Sequence, residues 1–252
     1  MFLKRVCLGQ NLIFLFLALS CTYPQDDGPW FAEKSSLKLV RSVPTAGARN
    51  VSLRPTIKLE FSVPPKAEAI GANHIRLFSG LVETTGKFKV DILDKCIRFT
   101  PTKTLRPNLR YRMYLSGDIQ AIDGSILGDS IWFEFTTGEQ ADVPVQPTPD
   151  KVLAREVQPI WTQQCKRCHN SMNTAGLNLS STETSLQSLR GVQSNSMDLL
   201  RVQPLDHARS YLMRKLIGTI GIVGWPMPPT SDDNLTEEEL RLVADWIDSG
   251  AQ

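Results

Sequence analysis

The sequence predicts a multidomain chain in which an all-β segment is followed by an all-α segment. Residues 37–138 contain short runs in which apolar and polar residues alternate, which is the period of a half-buried strand. Residues 150–252 place apolar residues at helical spacing instead. The stretch at 139–149 holds three prolines and has little period, which predicts a stiff, extended linker between two domains.

Six alternating apolar sets predict the strands, and turn signals such as Asp94-Lys95 and Asp123-Gly124 separate them. Short strands at this spacing over about one hundred residues favour an immunoglobulin-like sandwich. Cys96 falls beside one set, which predicts a buried and unreactive thiol. The sets are Ile57 with Leu59 and Phe61, Ile75 with Leu77, Phe88 with Val90, Ile97 with Phe99, Tyr111 with Met113 and Leu115, and Ile131 with Phe133 and Phe135.

Several short motifs occur in order along this segment. The opening is Ser42-Val43-Pro44 followed by Pro55-Thr56-Ile57, and the end is Phe-Glu-Phe-Thr-Thr-Gly at 133–138. In the order of these motifs, the segment resembles a bacterial Ig-like domain of the surface-layer type over nearly its whole length. The resemblance implies a spacer or interaction module without catalytic residues. Tyr111 is then either a corner tyrosine, whose hydroxyl bonds upstream backbone, or an ordinary core tyrosine.

Helical signals in the second segment are clearest near its end. Thr236 is predicted to cap a helix, with Glu239 three residues later completing a capping box, and Gly250 is predicted to end that helix. A middle helix is predicted after Ser210, and Pro159 is predicted either to start an earlier helix or to kink a longer one. The buried stripe of the last helix is predicted to be Leu240, Val243, Ala244 and Ile247.

Residues 1–20 have the features of an export signal peptide. A short basic region precedes an apolar run at 12–19 that is too short to span a bilayer. Ser20-Cys21 follows at once and resembles a bacterial lipobox, which implies cleavage before Cys21 and lipid on that residue; a plain secretory signal is the alternative. Residues 21–36 then form a tether. Thr22 in place of an aspartate favours the periplasmic side of the outer membrane over the inner membrane.

The composition argues against a nucleic-acid partner. The chain has 28 basic and 26 acidic residues, for a formal net charge of +2. Binding to nucleic acid needs a concentrated basic face, which this balance does not support.

The segment Cys165-Lys166-Arg167-Cys168-His169 has the spacing of a c-type haem attachment site. Two thiols on one turn can add across the two vinyl groups of haem, and the next residue can present its imidazole to the iron. We therefore predict one covalently bound haem c. Three alternatives compete: a zinc site, which needs about four protein ligands; a thioredoxin-like pair, which needs a βαβ setting; and a structural disulfide.

The second axial ligand is predicted to be Met227. It lies 58 residues after His169, in a loop that three prolines stiffen. Met and His are the typical pair in haem proteins that only carry electrons. Met213, His207 or an open coordination position are the alternatives, whereas Met172 is too close to His169 to reach the opposite haem face.

These motifs occur in the order of a small mono-haem class I cytochrome c: helix, attachment site, Met-Pro loop, final helix. Residues 150–252 resemble that family, although its pattern does not fix residues 170–204. The resemblance implies that Met227 is the distal ligand and that the protein passes single electrons to an unidentified redox partner, without being an enzyme. The alternatives are a haem enzyme or gas or redox sensor with a displaceable ligand, and an Ig-like interaction protein with a subsidiary haem domain.

Four arginines in this segment are candidate partners for the haem propionates, because guanidinium pairs well with carboxylate. Solvated surface charge is the alternative for each. They are Arg190, Arg201, Arg209 and Arg214.

Overall fold

The structure, a computed structural model, describes residues 36–139, 151–172, 176–229 and 234–252. Within them, all strands lie between residues 39 and 136 and all α-helices between residues 154 and 248. The order of an all-β segment followed by a helical segment is therefore confirmed.

Some sequence predictions fall outside the described residues. They are the signal peptide at 1–20, the lipid-modified Cys21, nearly all of the tether at 21–36 and nearly all of the linker at 139–149.

The described residues of the first segment form two four-stranded antiparallel sheets. The strands are β1 Leu39–Val43, β2 Ile57–Phe61, β3 Ile75–Ser79, β4 Val82–Thr84, β5 Gly86–Asp91, β6 Cys96–Pro101, β7 Arg110–Leu115 and β8 Ile131–Thr136. Their order is β1-β2-β6-β5 in one sheet and β4-β3-β7-β8 in the other. Side chains from both sheets, such as Leu59 and Met113, are fully buried in the core. This is the sandwich that the alternation predicts.

Two strands, β1 and β4, are missing from the sequence prediction. Each lies at the edge of its sheet. Val40 of β1 is 67% exposed and Val82 of β4 is 70% exposed. Apolar side chains that remain in solvent give no alternation between buried and exposed positions, so the period that revealed the other strands does not occur here.

Two residues of the sandwich have the environments that the sequence suggested. The Tyr111 hydroxyl accepts a hydrogen bond from the Arg106 backbone N–H at 2.9 Å, so Tyr111 is a corner tyrosine. Cys96 is fully buried. Burial raises the pKa of its thiol to about 11, which keeps it protonated and unreactive at neutral pH.

The second segment contains four α-helices among its described residues, none of them long and apolar enough to cross a membrane. They are α1 Ala154–Ile160, α2 Thr182–Leu189, α3 Tyr211–Ile217 and α4 Glu237–Asp248. Pro159 lies inside α1, and the chain continues from α1 into a π turn at Trp161–Cys165. Pro159 therefore lies within a longer helical stretch rather than at its start.

The final helix begins and ends as predicted. The Thr236 side chain accepts from the Glu239 N–H at 3.2 Å, and the Glu239 carboxylate accepts from the Thr236 N–H at 2.9 Å. Gly250, with a φ of +100°, follows the last turn. Leu240 is only half-buried, and the sequence prediction missed one buried position, Trp246. The buried residues of α4 are Val243, Ala244, Trp246 and Ile247.

Helix α4 packs against α1 and the π turn. The indole rings of Trp161 and Trp246 meet edge to face with centroids 6.3 Å apart, and both are buried. The Ala154 N–H donates to the Gln252 carbonyl oxygen at 2.6 Å. The beginning and the end of the helical segment are thereby held together.

A charged network joins the helical segment to the sandwich. Buried His207 lies between Asp248, whose Oδ2 is 2.9 Å from Nδ1, and Asp91 of β5, whose Oδ1 is 3.5 Å from Nε2. Arg241 of α4 pairs with Asp91 at 3.2 Å and with Asp94 at 2.6 Å. Burial opposes the charge on His207, but the hydrogen bond to Asp248 and the nearby carboxylate of Asp91 outweigh that effect and raise its pKa to about 9. The two segments therefore meet through paired charges.

Candidate functional site

A cavity of about 400 Å³ lies within the helical segment. It brings together residues that are far apart in sequence, including Cys165, His169 and Met227. Three of the four residues predicted for the haem site thus share one space. Most of the remaining wall is apolar: Trp161, Leu177, Leu179, Leu189, Leu212, Leu216, Val223 and Trp225.

The Cys-x-x-Cys-His segment is folded as a single turn. Cys165 ends the π turn, and its carbonyl oxygen accepts from the N–H groups of Cys168 and His169, at 3.1 and 2.9 Å. Cys168 is half-buried in that turn but is not one of the described residues that line the cavity. The His169 carbonyl oxygen accepts from the Leu179 N–H at 2.9 Å, which fixes the chain that leaves the motif. π turns of this kind are frequent at functional sites.

The electrostatics of Cys165 do not suit a reactive thiolate. Burial, followed by the charges of Cys168 and Glu239, raises the pKa of its thiol to about 12. Redox-active and metal-binding cysteines have the opposite shift, toward a lower pKa. Cys165 and Cys168 do not form a disulfide. Among the described residues, no group of three or more His, Cys, Asp or Glu side chains could hold a metal ion.

The Met227 loop is attached to α3. The Met227 N–H donates to the Lys215 carbonyl oxygen at 2.8 Å. The Lys215 ammonium donates to the carbonyl oxygens of Val223, at 3.0 Å, and of Trp225. The Tyr211 hydroxyl accepts from the Val223 N–H at 3.1 Å. Residues 223–227 are therefore held against the cavity by backbone as well as side-chain bonds.

The structure separates the four candidate arginines. Arg201 lines the cavity and donates to the carbonyl oxygens of Gly176 at 2.7 Å and Ser188 at 2.8 Å; burial lowers its pKa. Arg190 donates to the Gly250 carbonyl oxygen. Arg209 and Arg214 reach the sandwich instead, at the Ala67 carbonyl oxygen and the Glu68 carboxylate.

The alternative ligands lie elsewhere. Met213 is fully buried in the core, and His207 is held in the charged network with Asp91 and Asp248. Met172 is 85% exposed. None of these three described side chains is part of the cavity wall, whereas Met227 is.

Comparison with known families concerns the first segment. Residues 33–137 match a bacterial Ig-like domain. The match agrees with the two antiparallel sheets and ends before the first helix of the second segment. Comparison with curated proteins gives no match.

The solved structures that are similar to this chain cover about as much of it as the Ig-like match does. The N-terminal part of the bacterial S-layer protein SbsC is 15% identical with a TM-score of 0.34, over 41% of this chain and 24% of that one. L,D-transpeptidase 1 of Mycobacterium tuberculosis is 19% identical with a TM-score of 0.27, over 40% of this chain and 38% of that one. PcoC, a methionine-rich copper resistance protein from Escherichia coli, is 20% identical with a TM-score of 0.34, over 41% of this chain and 99% of that one. This chain thus spans well under two thirds of the first two.

Proposed function

We propose that residues 150–252 form a cytochrome c-type domain that carries one covalent haem c and transfers single electrons. The observation that carries the proposal is the shared cavity: Cys165 and His169 of the attachment motif and Met227, 58 residues beyond His169, line one apolar space. The Cys-x-x-Cys-His motif alone does not require Met227 to lie near His169, so the shared cavity supports the proposal independently of the motif.

The residues present fit haem c, because three of the four line one cavity and Cys168 lies on the same turn as Cys165. Cys165 and Cys168 lie on one turn, as thioether bonds to two vinyl groups need. His169 offers a nitrogen ligand and Met227 a thioether sulfur for the two axial positions. Bound haem c supplies reversible one-electron exchange at iron, and a Met/His pair raises its potential.

The surrounding protein has three tasks in this proposal. Trp161 and the leucines of the wall exclude water. Lys215 and Tyr211 hold the Met227 loop in place. Arg201, at the wall with its pKa lowered by burial, would pair with a propionate, since a carboxylate offsets the cost of a partly buried cation.

We further propose that the protein is an electron carrier rather than an enzyme, held by lipid on Cys21 at the periplasmic side of the outer membrane. The Ig-like domain would set the distance to the membrane or contact the redox partner. The signal-like residues 1–20, which end in Ser20 directly before Cys21, support the location.

A visible spectrum tests the proposal. We expect sharp c-type bands in the reduced protein and a weak thioether–iron band in the far red when it is oxidised. Met227→Ala should abolish the far-red band and leave the covalent haem in place. Met172→Ala is the matched control, because Met172 lies near the motif but is exposed. Retention of the band in Met227→Ala would refute the ligand assignment. Binding of carbon monoxide to resting wild-type protein would favour a haem enzyme or sensor instead.

A second candidate function, an Ig-like interaction protein with a subsidiary haem domain, is supported by one surface of the sandwich. Trp132 of β8 is 52% exposed, and its ring lies 4.6 Å from Tyr114 and 6.0 Å from Phe78, centroid to centroid. The Arg112 guanidinium stacks over Trp132 at 5.8 Å. Aromatic residues and arginine are the side chains enriched at protein interfaces.

Photo-crosslinking in the native envelope tests this second candidate. A photoreactive residue at Trp132 should give one discrete adduct, both in the wild-type background and with Cys165→Ala and Cys168→Ala. The same residue at exposed Lys103 is the control and should give none. An adduct that needs the two cysteines would argue against an interaction role independent of haem.

A further inference from the structure

Helix α3 has one face toward the cavity and another toward the Ig-like domain. The cavity face consists of Tyr211, Leu212, Lys215 and Leu216. Residues four apart lie on one side of a helix, so these two pairs form a single face. On the other side, Arg214 pairs with Glu68 of the Ig-like domain, and Ile217 lines an interdomain cleft together with Ile92 and Ile122.

The ion pair between Arg214 and Glu68 joins α3 to the Ig-like domain through a buried guanidinium. Arg214 is 3% exposed, and one terminal nitrogen of its guanidinium contacts both carboxylate oxygens of Glu68. The Glu68 side chain is 27% exposed, so Arg214 is the buried member of the pair. Replacing Glu68 leaves that buried charge without its carboxylate, which costs more than breaking a pair that is exposed on both sides. Arg209, just before α3, donates to the Ala67 carbonyl oxygen at 3.0 Å. The turn at Ala67–Ala69 therefore contacts this part of the helical segment at two points, through Arg209 and through Arg214.

The same short helix carries the Met227 loop. Lys215, the residue after Arg214, accepts from the Met227 N–H at 2.8 Å and donates to two carbonyl oxygens of the loop. With seven residues, α3 is too short to be stable alone, so its position depends on what it packs against. A continuous path of contacts thus runs from Glu68 through Arg214 and Lys215 to Met227.

We propose that Glu68 and Arg214 are positioning residues for the cavity: their ion pair fixes α3 and, through it, the loop that presents Met227. The Ig-like domain is then part of the support of the candidate haem site and more than a spacer. The inference rests on the proposed function where Met227 is taken as an iron ligand, whereas the dependence of the loop on Glu68 can be measured without any cofactor.

The test compares two glutamates of the Ig-like domain in the full-length protein. Glu68→Gln removes the carboxylate that meets buried Arg214, and Glu83→Gln, the matched control, breaks an exposed pair with Arg76 between the paired strands β3 and β4. We expect amide hydrogen exchange of residues 223–227 to rise by about tenfold or more in Glu68→Gln and to stay at the wild-type rate in Glu83→Gln. The far-red thioether–iron band should weaken in Glu68→Gln, and Glu68→Asp, which keeps the carboxylate, should restore most of it. Equal exchange in the two Gln variants would overturn the proposal.

A second variant covers the case in which Glu68→Gln does not fold, as judged by near-ultraviolet circular dichroism. Arg209→Gln removes the bond to the Ala67 carbonyl oxygen, and the Arg209 side chain is 43% exposed, so it tolerates replacement. Arg209→Gln should also raise amide exchange of residues 223–227, by a smaller factor than Glu68→Gln. Exchange at the wild-type rate in Arg209→Gln would overturn the proposal. If wild-type protein lacks haem bands altogether, the proposed function fails, while the exchange comparison still decides this inference.

Discussion

The backbone N–H of Met227 donates to the carbonyl oxygen of Lys215 at 2.8 Å, so the methionine loop is attached to the backbone of α3. The Lys215 ammonium is partly buried, and burial lowers its pKa. It nevertheless donates to the carbonyl oxygens of Val223 and Trp225. A single lysine therefore fixes the loop at three points.

Lys215→Met should loosen that loop without removing the bond from the Met227 N–H. Methionine keeps most of the apolar stem and loses the donors, which costs about 1 kcal/mol net for a typical hydrogen bond. We expect a fall in Tm of about 2–4 °C and faster amide exchange at residues 223–227. Lys87→Met, at an exposed lysine of β5, is the control and should leave both unchanged. Identical exchange in the two variants would show that the Lys215 ammonium does not hold the loop.

Counting reactive thiols distinguishes a protein whose motif cysteines are bonded to haem from one in which they remain thiols. A soluble form that begins after Cys21 contains Cys96, Cys165 and Cys168. With haem attached, we expect no thiol to react in the native protein, because Cys96 is fully buried with a pKa raised to about 11. One thiol should react in denaturant. Three reactive thiols in denaturant would mean that neither cysteine of the motif carries haem.

His207 should make stability depend on pH above neutrality. Its folded pKa of about 9 lies above the usual value of 6.5, because the hydrogen bond to Asp248 and the nearby Asp91 carboxylate outweigh burial. Its contribution, on the order of 3 kcal/mol, is therefore full below about pH 6.5 and is lost as the pH rises through 9. The pKa of Asp91 is held well below its usual range, mainly by His207 against the effect of burial, so its own contribution is lost only in acid.

Urea unfolding at a series of pH values measures this effect. Wild-type protein should lose stability between pH 6.5 and 9.5, and His207→Gln should lose much less over the same interval. His207→Gln keeps all the other groups that titrate in this range, so the difference between the two curves reports His207 alone. Parallel curves for the two proteins would contradict the role given to His207.

Tyr111→Phe tests the corner tyrosine. The change leaves the Arg106 N–H without its acceptor, which costs about 1–3 kcal/mol for a partly buried donor. Tyr114→Phe on the same strand is the matched control, because the Tyr114 hydroxyl meets Ser130 in an exposed bond at 3.2 Å and should be worth much less. Chemical denaturation of both variants provides the comparison.

Sequence reasoning recovered the elements that leave a periodic or capping signal. Strands β2, β3, β5, β6, β7 and β8 were predictable because buried and exposed residues alternate, and α4 because Thr236 and Glu239 form its capping box. Helix α2 was missed, since its residues Thr182–Leu189 include only two leucines. A short helix that is mostly polar shows little of the apolar period on which prediction depends.

The residues of the candidate site likewise fall into those that the sequence predicts and those that it does not. Cys165, Cys168 and His169 form a local motif, and Met227 was predicted from its proline-rich loop and from the order of motifs. The roles of Arg201 and Arg214 could not be separated from sequence, because one lines the cavity and the other pairs with Glu68, 146 residues away. Contacts at such separation depend on how the two segments pack, and no local pattern encodes that packing.

Intact mass spectrometry under denaturing conditions tests the central proposal most directly. The soluble form should be exported in a host that attaches haem c, and Cys165→Ala with Cys168→Ala should be produced beside it. We expect the wild-type mass to exceed that of the polypeptide by one haem and to remain so after acid denaturation, and the double variant to have the polypeptide mass. A wild-type mass equal to that of the polypeptide alone would contradict the assignment of a covalent haem site.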